Sequence, residues 1–309
     1  MSQKAERKNL AHTYSIVARD ENTGEMAVGV QSHWFAVGTM VPWGRSGVGV
    51  VATQSFVNPS YGTEGLALME RMSAKKALNE LIKSDEGKEY RQVAMLDVDG
   101  VVDAYTGKKC INAAHHITGR NFAVQANMML NSKVVPAMAE TFKKNEGQII
   151  EQRVLKVLIA AQEAGGDIRG QKSASLIVVG PERVSQPWND KKIDLRVDDH
   201  TEPLKELERL LEIHTAFVHM NLGDEAVENG DINKALNEYS TAEHLMPENL
   251  EMKYWKAVAL ANNGMLDASL PVFKYVFDRD DNWKKLTRRL PSSGQIRLTD
   301  KELLKILDQ

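Results

Sequence analysis

Thr13, in the run His12-Thr13-Tyr14-Ser15, is the residue of this sequence with the most direct chemical use. A threonine at the head of a chain can attack through its hydroxyl with its own α-amine as general base. Twelve residues precede Thr13, so that amine exists only after the His12–Thr13 bond is cut. Taken alone, Thr13 is an ordinary strand residue. Thr53-Gln54-Ser55 and the group Asn58, Ser60, Tyr61 and Gly62 lie between a buried strand and a helix start. Polar groups there serve either as anion or oxyanion donors or as helix caps. Gln125 and Asn127 alternate on a short strand and present amides to one face, where they contact a ligand or join a polar core network. Gly166-Asp167-Ile168-Arg169-Gly170 is a tight loop with an internal ion pair. His115 and His116 are adjacent on an extended segment and point to opposite sides, which disfavours a shared metal. Cys110 is the single cysteine and is expected to be a packed thiol. The run Asp194–His200 is expected to dock a linker. No P-loop, G-x-G-x-x-G, H-E-x-x-H, C-x-x-C or G-x-S-x-G motif occurs.

Positioning these residues requires strands first and helices second. Thr13–Arg19 and Met26–Ser32 flank the turn Asn22-Thr23-Gly24 and predict a hairpin. Val48–Thr53 opens fully apolar, as a strand buried on both faces does. A helix is expected from Asn58-Pro59, and a second from Ser73 as N-cap to about Ile82. Asp99-Gly100 joins the strands Arg91–Val98 and Val101–Thr106, and Phe122–Asn127 is another short strand. Helical periodicity runs over Lys133–Lys144 and Ile149–Ala164, and Ala174–Val179 returns to strand. Hairpins interleaved with helix pairs predict an α+β fold of antiparallel sheets covered by helices.

The remainder is helical after a polar linker or strap over residues 181–202. Gly230 and Gly264 stand 34 residues apart, and the same offset aligns Gly223 with Ala257, Ala235 with Ser269 and Tyr239 with Phe273. This spacing resembles the tetratricopeptide (TPR) repeat, in which small residues let paired helices approach and an aromatic fills the gap. The expected division is an N-terminal extension (1–12), a first domain (13–180), the linker (181–202) and a TPR-like domain (203–309) capped by its terminal helices. With 309 residues, 42% hydrophobic and 26% charged, the chain has an ordinary globular composition. A net charge of −3 argues against nucleic acid as a partner, and no apolar run approaches a membrane span. The polar N-terminus lacks a signal-peptide core, so the cytoplasm is the expected location.

Six segments taken in order resemble the DUF1028 family: TYSIVARDENTGEMAVGVQS, FAVGTMVPWGRSGVGVVATQSFVNPSYG, AYTGKKC, FAVQANMML, GGDIRGQKSASLIVV and DLRVDDHTEPLKELERLLEIH. They cover about Thr13 to His214. The resemblance implies the αββα sandwich of the N-terminal nucleophile (Ntn) hydrolases, and it makes Thr13 the candidate nucleophile, because many relatives begin with Thr directly after the initiator Met. The extension in front of Thr13 is a departure from that pattern. The implied activity is hydrolysis of an amide bond in a small amide or peptide, without a cofactor or metal. Ser32, Arg45, Gln54 and Asn127 are expected to orient groups or stabilise the oxyanion. The alternative expectation is an inactive scaffold whose TPR-like module binds a protein partner. Self-association is left open.

Overall fold

The computed structural model of the chain describes residues 10–309. Of the extension expected over 1–12, residues 1–9 lie outside the described residues. The chain opens with β1 (Leu10–Ala11), β2 (Thr13–Arg19), β3 (Met26–Ser32), β4 (Pro42–Arg45) and β5 (Gly49–Phe56). Helices α1 (Ser60–Met69) and α2 (Ala74–Ser84) follow, then β6 (Arg91–Asp97), β7 (Val102–Thr106), β8 (His115–Gly119) and β9 (Phe122–Ala126). Helices α3 (Val134–Lys144) and α4 (Ile150–Glu163) precede β10 (Ser173–Val179) and β11 (Lys191–Val197).

Two antiparallel sheets result. One has the order β1-β5-β6-β7, with β4 also on β5; the other has the order β11-β10-β3-β2-β9-β8. The β2–β3 register sets Thr13 opposite Ser32 and Arg19 opposite Met26. Alternation does the rest. Val17, Val28 and Val30 of the second sheet face Val50, Ala52 and Leu96 of the first across one apolar cluster. The other face of the first sheet packs Val51, Val93 and Met95 against Leu66, Ala77 and Leu78 of α1 and α2. On the second sheet, a Cβ at Gly29 would stand 2.4 Å from Val154 Cγ1, so α4 lies directly on β3. The layers therefore run helix, sheet, sheet, helix, an α+β arrangement.

Several local expectations change. Ser73 precedes α2 but its side chain makes no cap bond. Buried Asp97 takes that place, accepting the Ala74 N–H at 2.7 Å. The stretch expected as a linker over 181–202 instead contains β11, which extends the second sheet along β10 from Ala174↔Val197 to Val179↔Lys191. Lys192, Asp194 and Arg196 alternate with Ile193, Leu195 and Val197, the pattern of an edge strand with one solvated face, and its charged residues hid it as loop. The segment read as extended at His115 and His116 is β8.

The chain divides into two units between Glu208 and Arg209. Helix α5 (Pro203–Glu228) runs across the division. It is followed by α6 (Ile232–Leu245), α7 (Leu250–Asn262), α8 (Leu266–Phe277), α9 (Asp281–Thr287) and α10 (Asp300–Leu307). The 34-residue offset falls on equivalent places. Gly230 and Gly264 take φ of 75° and 77° in the turns before α6 and α8, a conformation suited to glycine. Tyr239 and Phe273 are both buried, and a Cβ at Gly223 would meet the Tyr239 ring at 2.5 Å. Among the described residues no helix is long and apolar enough to cross a membrane.

Candidate functional site

At one end of the sandwich the apolar interior gives way to polar side chains. Thr13, Ser15, Ser32, Gln54, Gln92, Gln125 and Asn127 are all fully buried. Burial of that many polar groups is tolerated when they satisfy one another, and all but Thr13 Oγ1 and Gln125 Oε1 do so. The backbone fixes how they do so. Gln92 Nε2 lies against three acceptors: Thr106 Oγ1 at 2.9 Å, His115 O at 3.2 Å and Ala126 O at 3.0 Å. That nitrogen must therefore be the donor end, and Gln92 Oε1 turns inward. It accepts from Gln54 Nε2 at 2.7 Å and Asn127 Nδ2 at 3.0 Å. Gln54 Nε2 also donates to Thr13 O at 3.0 Å, and its Oε1 accepts from Ser15 Oγ at 2.7 Å. Gln125 Nε2 donates to Ser15 Oγ and Ala52 O. Every amide orientation follows from a carbonyl at the edge of the network.

The outcome of this chain of assignments is that Asn127 presents Oδ1, an acceptor, to His12 Nδ1 at 2.8 Å. His12 is itself buried, and its ring packs edge-on to Phe56 with centroids 6.1 Å apart. Burial pushes the His12 pKa down, against the hydrogen bond to Asn127 Oδ1, which raises it. The neutral ring thus carries its proton on Nδ1 and donates it to Asn127.

The His12 carbonyl oxygen, on the acyl side of the His12–Thr13 bond, is held by two donors. Ser32 Oγ donates to it at 2.6 Å, and Arg169 Nη2 at 3.1 Å. Ser32 is available because the strand register puts it opposite Thr13. Ser32 Oγ also accepts the Trp34 N–H at 2.9 Å. Arg169 is aimed by Asp167, which accepts from Nε at 3.0 Å and from Nη2 at 2.7 Å. The Asp167 carboxylate is wholly shielded and also accepts the Arg169 N–H. A fork held on both prongs loses little freedom when it donates once more. The Thr13 hydroxyl is fully buried and makes no hydrogen bond among the described residues.

Of the expected site residues, the structure brings together Thr13, Ser32, Gln54 and Asn127. It does not bring Arg45 to them. Arg45 lies at the end of β4 opposite Gly49, about 17 Å along β5 from Gln54 at strand rise, and pairs at the surface with Glu70 at 2.7 Å. The group after β5 serves as a helix start: Asn58 Oδ1 accepts the Ser60 N–H, and Tyr61 donates to Asp85. Cys110 is buried, and burial pushes its thiol pKa up. Sequence reasoning missed Gln92 and His12. Nothing in RQVAML marks Gln92, since its role depends on which strands flank it. Arg169 carried a signal, the Asp-x-Arg loop between glycines, but its reach to His12 is a tertiary fact.

The network predicts a large penalty for one substitution. Gln92→Leu would take the acceptor from Asn127 Nδ2 and from one N–H of Gln54 Nε2, which keeps Thr13 O, at about 1–3 kcal/mol each. A loss of at least about 2 kcal/mol in denaturant unfolding is expected. A near-neutral result would show that water or rearrangement replaces the network.

No curated protein matches the chain. The chain is similar to protein SPO2555 from Silicibacter pomeroyi, whose crystal structure is assigned to DUF1028. The two share 29% identity at a TM-score of 0.59, covering 66% of this chain and 90% of that one. A family model described as a family of unknown function matches residues 13–207, beginning at the threonine whose carbonyl neighbour is so held. On that match, the chain belongs to the DUF1028 family.

Proposed function

We propose that the first unit is an Ntn-type amidohydrolase, with Thr13 as nucleophile and a sandwich of the Ntn kind as its scaffold. The observation that carries this reading is the His12 carbonyl, held by Ser32 and Arg169 next to a buried threonine hydroxyl. Two donors on the carbonyl beside the hydroxyl form the arrangement that stabilises an oxyanion. In the chain with residues 1–12 attached, that carbonyl belongs to the protein itself. Attack of Thr13 Oγ1 on the His12 carbonyl carbon would form an ester and break the peptide bond, the hydroxyl proton ending on the Thr13 nitrogen. Water would then cleave the ester, leaving a His12 carboxylate, the restored hydroxyl and a free α-amine. That amine is the general base for the next substrate. Gln54 and Asn127 act as positioning residues: Gln54 Nε2 and the Asn127 N–H both hold the Thr13 carbonyl. No cofactor enters this chemistry.

A chain made to begin at Thr13 should hydrolyse amides from a broad panel, and the uncleaved chain should not. In the trimmed chain, Ser32→Ala and Arg169→Gln should each lower kcat by roughly 100- to 1,000-fold, the usual cost of one oxyanion donor. Unchanged kcat in both variants would remove the cradle from the reaction.

A second reading rests on the helical unit. The recurrence of Gly230 and Gly264 at equivalent turns supports a TPR-like module that holds a protein partner. It suits a scaffold in which Thr13 is never freed, and inactivity of the trimmed chain would favour it. Cytoplasmic residence fits both readings.

A further inference from the structure

The way residues 10–12 are held describes the substrate, if the hydrolase reading above stands. Leu10 and Ala11 form β1, pairing antiparallel with Phe56 and Ser55. Ser55 pairs with Arg91 of β6 on its other side. Residues 10–11 therefore cover an edge of β5 beyond the reach of β4, which pairs only with Gly49–Ala52. Departure of the N-terminal segment opens that edge, and an open strand edge accepts an extended peptide. The position after the strand pair is equally defined. The carbonyl there rests on Ser32 and Arg169. The side chain there meets Asn127 Oδ1 and the edge of Phe56. Asn127 cannot turn its amide to suit another group, because Gln92 Oε1 holds Nδ2 and Gln92 is itself locked by Thr106 and two backbone carbonyls.

We infer that the Thr13 site takes the acyl half of an extended peptidyl amide ending in a histidine-like residue. The substrate's last residues add to the β5 edge, its carbonyl sits on Ser32 and Arg169, and its side-chain N–H meets Asn127. An aliphatic residue at that position leaves a buried acceptor unpaired. A phenylalanine fills the ring space but brings no N–H. A carboxylate side chain faces the Asn127 oxygen and is repelled. Asp167 already balances the Arg169 charge, so the cradle suits a neutral carbonyl.

The probes are the blocked tripeptide amides acetyl-Leu-Ala-His, acetyl-Leu-Ala-Phe and acetyl-Leu-Ala-Ala, titrated calorimetrically into the chain beginning at Thr13. Trimming removes only β1 and His12 from the described residues, and the family match itself starts at Thr13. The histidine peptide should bind roughly ten- to a hundredfold more tightly than the other two, the range of one satisfied against one orphaned buried acceptor. Equal binding of all three overturns the inference. Failure of all three while short non-peptidyl amides are hydrolysed also overturns it, and leaves the hydrolase reading intact. Tight histidine-peptide binding without any hydrolysis sustains the peptide site and ends the hydrolase reading. A second arm needs no trimming. In the full chain carrying Thr13→Ala to prevent cleavage, adding His12→Ala should speed hydrogen exchange of the β1 amide that bonds to β5 about tenfold. Unchanged exchange would contradict a specific grip on residue 12.

Discussion

In the chain beginning at Thr13, Thr13→Ala is expected to abolish amide hydrolysis, and Thr13→Ser to keep part of it. Loss of a nucleophile elsewhere costs on the order of a millionfold in kcat. Ser keeps the hydroxyl and loses only a methyl group. That methyl packs in a fully buried setting, so some rate is lost through a less fixed rotamer. Hydroxyl and amine must sit on one residue because the short, preset geometry between them replaces a diffusing base. In the uncleaved chain the same nitrogen is an amide and is not basic near neutral pH. The Ser32 and Arg169 donors remain in Thr13→Ala, so a collapse of rate without loss of fold isolates the nucleophile. A purely structural Thr13 predicts a different pattern: no activity in any form and a small stability loss. Thermal unfolding of the trimmed chain and its variants, measured beside the assay, separates the two.

The second large effect lies in the helical unit. Phe273→Ala and Tyr239→Ala should each destabilise it by about 3–5 kcal/mol, the usual cost of deleting a buried aromatic. Phe273 is fully buried, with ring centroids 5.8 Å from Tyr254 and 5.6 Å from Phe277. Tyr239 lies on Gly223 and donates to Asp224 at 2.6 Å. Burial beside that carboxylate pushes the Tyr239 pKa up, so the hydroxyl stays protonated and donates throughout the physiological range. Tyr239→Phe should therefore cost about 1 kcal/mol, the net worth of one hydrogen bond. Both aromatics stand at the same offset after their glycine turns, so equal penalties are expected from the repeat. Losses below about 0.5 kcal/mol at either position, the level of surface changes, would show that the 34-residue register is not a packing register. Denaturant unfolding of the full chain reads this directly.

Particular residues show how far the sequence leads. The β2–β3 hairpin and its turn are legible from alternation and Gly24, and with them the pairing of Thr13 with Ser32. The amides of Gln125 and Asn127 are legible as sharing one face, because they stand two apart at the end of a short strand, but not as members of a buried network. Gln54 sits at the polar end of an otherwise apolar strand, where a change of environment is visible in the residue types. Gln92 is not legible, since only the pairing of β5 with β6 and the packing of β9 above it make its amide the hub. Arg45 was expected in the site because of its place in a family segment. Strand direction sends it to the far end of β5. Arg169 was visible as an ion pair with Asp167, but its second bond, to a carbonyl 157 residues earlier, is set by tertiary folding alone. Strand β11 escaped because an edge strand with one solvated face has the composition of a loop.

The most direct test is the intact mass of the purified full chain, followed over time beside its amidase activity. Loss of residues 1–12, a new N-terminus at Thr13, and activity that rises in step with that loss are expected. Thr13→Ala should keep its full mass and stay inactive. Activity in a chain that retains its full mass, or a chain cut at His12–Thr13 that hydrolyses no amide, would contradict these expectations.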